Sequence, residues 1–153
     1  MALIHTPLLG IAAFSGTGKT TLLRRIIPAL KTPMGPVGLI KHTHHRFEVD
    51  WPGKDSHRLA RAGAAQTLVA SPLRRAVISH YPTAQPAALE DHLATLDDGS
   101  LGLILVEGYK RKPLPKLELH RPSLGHPLLA HDDPSVVAIA CDAPLEAPPV
   151  EVL

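Results

Sequence analysis

The segment from Ala13 to Thr20, Ala-Phe-Ser-Gly-Thr-Gly-Lys-Thr, constrains the fold of this chain more than any other part of its sequence. It follows an apolar run, Leu8–Ala13, and precedes Thr20–Leu30, where leucine and isoleucine recur at helical spacing. Small residues between a strand and a helix let backbone N–H groups surround phosphate oxygens, and the helix N-terminus adds a positive dipole end. The segment therefore predicts a strand, a phosphate-binding loop and a helix.

The residue types within this loop predict that it binds a nucleoside triphosphate. The Lys19 side chain has the length to reach the β- and γ-phosphates, and the Thr20 hydroxyl is placed to ligate Mg²⁺. Ala13 stands where the pattern G-x-x-x-x-G-K-[ST], the Walker A motif, has its first glycine, and alanine fits there if its φ is negative. The predicted phosphate-binding residues are Ser15, Gly16, Thr17, Gly18, Lys19, Thr20 and Thr21.

Length and composition predict one aliphatic-cored domain in a reducing compartment. A chain of 153 residues suits a single nucleotide-binding domain over residues 1–153, and aromatic residues make up only 3%. The net charge of +2, without a long run of one sign, gives no electrostatic case for binding nucleic acid or membrane. Cys141 is the only cysteine, and no apolar run approaches the about 20 residues that span a bilayer. We therefore expect a cytoplasmic protein.

Continuous apolar runs alternate with helical stretches along the chain. Continuous runs are typical of strands that are covered on both faces, as in a parallel sheet. The runs are Leu8–Ala13, Val37–Ile40, Thr67–Ala70, Ala76–Ser79, Leu101–Val106, Leu117–Leu119 and Val136–Ala140, and the helices are Thr20–Leu30, Lys54–Ala62 and Pro86–Leu96. Ala76–Tyr81 and Leu117–Arg121 lack long helical partners and are predicted to be antiparallel or edge pieces. The fold class is α/β: a three-layer phosphate-loop NTPase with a mainly parallel sheet and some antiparallel edge strands.

Two carboxylates are candidates for the chemistry beside the phosphates. Glu107 ends the apolar run Leu101–Val106, where such proteins place an acid next to Mg²⁺ and the γ-phosphate. Asp50 opens a polar segment that follows another predicted strand, and ligands of parallel sheets bind at the carboxyl ends of strands. Lys19, Glu107 and Asp50 are the predicted catalytic residues, and Thr20, Glu107 and Asp50 are the predicted metal ligands.

Two further groups of residues permit more than one interpretation. His42, His44 and His45, together with His57, are potential zinc ligands, but their spacing matches no closed structural zinc pattern, and solvent-facing or anion-contacting roles also fit. Asp142, which ends the last apolar run, is a potential acceptor for the donors of a guanine edge, and equally a turn residue before Pro144.

Four segments together resemble the MobB family of molybdopterin-guanine dinucleotide biosynthesis adapters. They are Phe14–Thr21, Lys41–His45, Asp50–Ser56 and Val106–Lys110, and the stretches Lys116–Arg121 and Asp133–Asp142 also fit. The phosphate loop alone is generic, whereas the histidine cluster combined with Asp50–Ser56 is more specific. The similarity spans nearly the whole chain.

The resemblance implies a homodimeric GTP-binding protein with weak, Mg²⁺-dependent GTPase activity. It implies that the protein assists the molybdopterin guanylyltransferase and meets molybdopterin or its guanine dinucleotide. Guanine selectivity comes from the resemblance alone, because the sequence has no Asn-Lys-x-Asp motif.

Two other functions remain open at this point. A small-molecule kinase needs an arginine-bearing lid, for which Arg74, Arg75 and the Arg111–Pro115 loop are candidates. A metallochaperone GTPase would use the histidine cluster.

Overall fold

The apolar runs form strands of two separate sheets in the computed structural model, which describes residues 5–43, 47–85, 88–96 and 98–153. The strands are β1 Leu8–Ala13, β2 Val37–Lys41, β3 Gln66–Ser71, β4 Arg74–Ser79, β5 Leu103–Glu107, β6 Lys116–His120, β7 Val136–Cys141 and β8 Glu151–Val152. The α-helices are α1 Lys19–Met34, α2 Asp55–Arg61 and α3 Leu89–Leu93, and short 3-10 turns cover Asp98–Ser100, Pro122–Leu124 and Leu129–His131. The chain comprises two compact units, Met1–His42 with Ala88–Leu153, and Thr43–Ala87.

The first unit contains a sheet of six strands in the order β2-β5-β1-β6-β7-β8. Every pairing in this sheet is parallel, so the carboxyl ends of its strands meet at one edge. The sheet places the end of β1 between the ends of β5 and β6, and the mainly parallel α/β fold predicted from the apolar runs is confirmed.

Helices on opposite faces of this sheet give it three layers. Successive residues of a strand point to opposite faces. Leu105 of β5 therefore lies in the cluster that packs against Leu23 of α1, while Ile104 lies in a second cluster with Leu89 and Leu93 of α3. Ile104 and Leu105 point to opposite faces and are both fully buried. The core therefore lies on both sides of the sheet.

Strand β6 is an interior strand and not an edge piece. It pairs in parallel with β1 on one side and β7 on the other. Three of its alternate residues, Lys116, Glu118 and His120, are buried despite their polarity. The Glu118 carboxylate accepts hydrogen bonds from the backbone N–H groups of Leu129 and Ala130, both at 2.8 Å. The buried carboxylate on this face of β6 is therefore satisfied by hydrogen bonds from the segment around Leu129 and Ala130, and the face needs no long helix to cover it.

The second unit is built on the antiparallel pair of β3 and β4, with α2 preceding them. The antiparallel pairing predicted for Ala76–Tyr81 is present, but in a separate sheet of two strands. Its apolar residues are largely exposed, including Leu68 at 64% and Leu73 at 96%. None of the helices in the described ranges has the length and apolar character needed to cross a membrane.

Candidate functional site: a phosphate loop at the carboxyl edge of the sheet

The predicted loop joins β1 to α1 through two glycines in the left-handed region. Gly16 has φ 82° and Gly18, the N-cap of α1, has φ 97°. Side chains with a Cβ disfavour this region, so the two glycines let the chain turn sharply and present its amides. Ala13 is the last residue of β1 and is not among the described residues with positive φ, which explains why the missing first glycine leaves the loop intact.

Side chains of the loop fold back onto the carbonyl of Phe14. The Thr17 hydroxyl donates to this oxygen at 2.9 Å, and the Lys19 ammonium donates to it at 3.2 Å. Thr17 is buried, whereas Ser15, Gly16 and Thr20 are exposed. These bonds tie the loop to the carbonyl of Phe14, and residues 15–21 form the loop and the start of α1.

The Lys19 ammonium lies in a partly buried, electropositive environment. Burial lowers its pKa below the ordinary value of a lysine; the Glu107 carboxylate opposes this shift, and the charges of Lys110 and Lys41 add to it. A cation that is partly desolvated among other cations gains when an anion arrives. The surroundings of Lys19 therefore favour a bound polyanion.

Glu107 is held at the carboxyl end of β5, beside the loop. It pairs in register with Ile11 of β1 and with Lys41 of β2. Its carboxylate lies 3.6 Å from the Lys41 ammonium, and its side chain is only 13% exposed. Its carbonyl accepts the His42 N–H at 2.9 Å, so both the backbone and the side chain of Glu107 are fixed.

The turn after Glu107 needs glycine for two reasons. Gly108 has φ 111°, and a Cβ there would lie 2.7 Å from the carbonyl oxygen of His42. The close approach brings the His42 ring to 4.9 Å from that of Tyr109, measured between centroids. His42 is thus part of an aromatic contact in the first unit.

Aromatic and cationic side chains that the sequence did not single out flank the loop. The ring of Phe14 stacks on His126 with centroids 4.3 Å apart and planes 14° apart, and the Lys110 ammonium lies 5.3 Å from the Phe14 centroid. The periodicity of the chain offered no signal for these contacts, because they join loops far apart in the sequence. Phe14 and Lys110 lie within segments that the sequence analysis identified, whereas His126 does not.

Asp142 follows β7 and is paired with Arg121, which follows β6. The Arg121 Nε lies 2.8 Å from an Asp142 carboxylate oxygen. The sequence offered Asp142 as an acceptor for a guanine edge, and the structure gives this carboxylate a cationic partner within the chain.

Asp50 belongs to the second unit, where its carboxylate organises the start of α2. The Ser56 hydroxyl donates to one carboxylate oxygen at 2.5 Å, and the Trp51 N–H donates to the other at 2.9 Å. Ser56 therefore bonds Asp50 and does not cap α2, whose N-cap is Lys54. The part of Asp50 in metal binding stays a prediction.

The histidine cluster falls only partly within the described residues. His44 and His45 lie outside them, and the His57 Nδ1 accepts the Gly53 N–H at 3.5 Å. Within residues 5–43, 47–85, 88–96 and 98–153, no three His, Cys, Asp or Glu side chains converge as metal ligands would. The second unit also has a cavity of about 720 Å³, lined by residues such as Asp50, His57 and Tyr81.

Comparisons with known proteins agree on one family. The profile described as MobB, Molybdopterin guanine dinucleotide synthesis protein B, matches residues 8–142. The Molybdopterin-guanine dinucleotide biosynthesis adapter protein of Escherichia coli (strain K12) is 49% identical over 140 residues, which are 91% of this chain and 80% of that protein. The protein of the same name from Haemophilus influenzae (strain ATCC 51907 / DSM 11121 / KW20 / Rd) is 45% identical over 141 residues, 92% of this chain and 77% of its own.

Solved structures agree with the sequence relatives. The crystal structure of a MobB protein homologue from Bacillus stearothermophilus superposes with a TM-score of 0.64 at 26% identity, covering 95% of this chain and 85% of that chain. Bacillus subtilis MobB shares the fold with a TM-score of 0.71 at 23% identity, over 95% and 88% of the two chains. The resemblance stated from the motifs is thereby confirmed, and the chain belongs to the MobB family.

Proposed function

We propose that this protein is a GTP-binding adapter in the biosynthesis of molybdopterin guanine dinucleotide, a cytoplasmic protein with at most slow, Mg²⁺-dependent GTPase activity. One observation carries the proposal. The loop of residues 14–20 arches on two left-handed glycines between a buried strand and the helix α1, with the Lys19 ammonium at its opening. Backbone amides, a helix N-terminus and a desolvated ammonium together bind a phosphate chain.

In this proposal Lys19 exchanges partners when nucleotide binds. Its ammonium leaves the carbonyl of Phe14 and donates instead to phosphate oxygens, which form stronger, charge-assisted hydrogen bonds. Thr17 keeps its own bond to Phe14, so the arch persists during this exchange. The loop is therefore organised before the nucleotide arrives.

The oxygen ligands near the loop fit Mg²⁺. Mg²⁺ prefers oxygen donors and is held by one or two protein groups together with phosphate oxygens; when bound, it neutralises charge on the phosphates. The Thr20 hydroxyl is exposed in the first turn of α1, and the largely buried Glu107 carboxylate lies 3.6 Å from the Lys41 ammonium. Thr20 and Glu107 would hold the ion, and the sequence-based prediction that Asp50 is also a ligand is tested separately below.

The lysine test distinguishes a phosphate site from a glycine-rich turn. Lys19→Ala is expected to weaken GTP binding by about ten- to a hundredfold, because a charged hydrogen bond contributes about 1.5–3 kcal/mol. Lys31→Ala, which removes an ammonium from the last turn of the same helix, is the matched control. Calorimetric titration with GTP and ATP measures both, and equal affinity of Lys19→Ala and the wild type would reject the proposal.

The metal ligands are tested separately through the Mg²⁺ dependence of binding. Glu107→Gln is expected to raise the Mg²⁺ concentration needed for half-maximal GTP binding. Asp50→Asn is expected to do the same if Asp50 is a ligand, while Ser56→Ala, which removes the neighbouring hydroxyl, leaves it unchanged. A Mg²⁺ dependence that Asp50→Asn does not alter would assign Asp50 to the local structure alone.

The proposed partners are a second copy of this chain, the guanylyltransferase, and molybdopterin or its guanine dinucleotide. Exposed apolar side chains on the second unit, such as Leu68, Leu73 and Val77, support a protein partner, because contiguous apolar surface is commonly an interface. Light scattering at micromolar concentration tests the dimer, with Leu68→Glu as the variant expected to shift it to monomer. A wild-type protein that stays monomeric would contradict this part.

A further inference from the structure

A paired arginine and aspartate lie at the carboxyl edge of the sheet, next to the phosphate loop. Arg121 directly follows β6, and Asp142 directly follows β7. β6 lies between β1 and β7, and all three strands are parallel. The topology therefore brings both side chains to the edge at which β1 opens into the loop.

The guanidinium of Arg121 reaches the N-cap of α1. Its Nη2 lies 3.8 Å from the point that a Cβ on Gly18 would occupy. Gly18 is the N-cap of α1, so this nitrogen lies where the helix presents its free N–H groups. A terminal guanidinium nitrogen and the N-terminus of α1 thus share one small region.

Asp142 forms an ion pair with the same guanidinium at Nε. Arg121 Nε is buried and lies 2.8 Å from the carboxylate, as an ion pair without the alignment of a hydrogen bond. The guanidinium has five N–H donors in a planar fork. An ion pair at Nε leaves N–H groups on the terminal nitrogens, including Nη2 beside Gly18, for other acceptors.

The chain after Arg121 is anchored on the same loop. Leu124, in the 3-10 turn Pro122–Leu124, has its Cδ1 3.9 Å from the position of a Cβ on Gly16. Two residues further on, the His126 ring stacks on Phe14. These contacts fix the base of the arginine side chain relative to the phosphate-binding amides.

We infer that Arg121 is a nucleotide-binding residue that donates to the α- and β-phosphates, and that Asp142 is its positioning residue. The inference rests on the proposed nucleotide site. An arginine is suited to the task because its fork matches phosphate oxygens in pairs and stays charged at every physiological pH. The Asp142 carboxylate then acts through Arg121 and not on the base.

The first experiment removes the guanidinium and varies the nucleotide. Arg121→Ala is expected to weaken GTP, GDP and ATP binding by a common factor of about ten, and Arg121→Lys is expected to recover part of it. Arg25→Ala, which removes an exposed guanidinium from α1, serves as the matched control. Unchanged affinity in Arg121→Ala, or a loss confined to guanine nucleotides, would overturn the inference.

The second experiment separates positioning from structure. Asp142→Asn is expected to weaken GDP binding several-fold in the wild type and to have no effect in the Arg121→Ala background, while Asp142→Glu restores binding in part. Melting temperatures are expected to stay constant, because both side chains are about half exposed. Equal losses in the two backgrounds would show that Asp142 does not act through Arg121.

Lys19→Ala makes the two possible failures distinguishable. If the wild type binds nucleotide and loses it on Lys19→Ala, but is indifferent to Arg121→Ala, only the inference about Arg121 fails. If the wild type binds no nucleotide, or Lys19→Ala is without effect, the proposed function fails and the inference fails with it.

Discussion

Strands β5 and β4 both contain consecutive apolar residues, but these residues lie in opposite surroundings. In the first unit Ile104 and Leu105 of β5 are completely buried, whereas in the second unit Val77 of β4 is 60% exposed. The reason is coverage: α1 and α3 pack on the two faces of the six-stranded sheet, while the second unit has two strands and a helix of seven residues. An apolar run therefore predicts a strand, but the segments that cover the strand determine how much its burial stabilises the fold.

The largest expected effect tests this comparison directly. Ile104→Ala is expected to lower the free energy of unfolding by about 4 kcal/mol, because it removes fully buried methyl groups and leaves a cavity. Val69→Ala in β3, 41% exposed, is the control and should change it by less than about 0.5 kcal/mol. Urea titrations followed by circular dichroism measure both, and similar losses in the two variants would break the comparison.

The second prediction is that removing a buried charged side chain also lowers the free energy of unfolding more than removing an exposed one. Lys116 is 2% exposed, and its ammonium donates to Asp133 at 2.9 Å and to the carbonyl of Lys112 at 2.6 Å. Lys116→Ala should cost about 3 kcal/mol, because it leaves the partly buried Asp133 without its cation.

The matched control for Lys116 is Lys112, whose ammonium forms an exposed ion pair with Glu90 at 2.8 Å. Lys112→Ala should lower the free energy of unfolding much less than Lys116→Ala, since solvent screens such exposed pairs. Both are measured by the same urea titration. A loss for Lys112→Ala as large as that for Lys116→Ala would contradict the importance of burial.

The smallest expected effect is a change in the free energy of unfolding with pH in the acid range. Partial burial raises the pKa of Asp133, but hydrogen bonds from Ser135 and Lys116 outweigh it and hold the pKa below the ordinary 3.8. A lowered pKa in the folded state stabilises the protein above pH 3.8, and this contribution is lost as the pH falls through the lowered value. Urea titrations from pH 5 to pH 2.5 should show a flatter pH dependence for Asp133→Asn than for the wild type. Equal slopes would show that Asp133 does not contribute to the pH dependence of stability.

Much of the fold was predictable because local patterns report local structure. The bounds of β1 were predicted to the residue. Helix α1 was predicted one residue late at its start and four residues short at its end, where it continues past Pro33 to Met34. The β6 strand was harder, because its alternate residues Lys116 and Glu118 are polar and give no signal of burial. Their partners lie on segments elsewhere in the chain that no local pattern identifies.

The candidate site was also predictable only where its residues belong to a local motif. Residues 15–21 are contiguous, so one motif places them together, and Glu107 is recognisable as the end of an apolar strand. Arg121 was not predicted as a site residue. Its guanidinium is close to Gly18 because β6 pairs with β1, and the two residues are about a hundred positions apart in the sequence. The sequence directed the search for arginines to Arg74, Arg75 and Arg111.

By itself, the sequence determined that a phosphate loop follows a buried strand, since glycine conformation and hydrophobic spacing act over a few neighbouring residues. It also determined the family, because several short motifs occur together in one order. Only the tertiary structure decided which polar groups are buried and satisfied, and which charged side chains meet at the loop. Those outcomes depend on strand order, which brings distant residues together and sets how much water surrounds each charge.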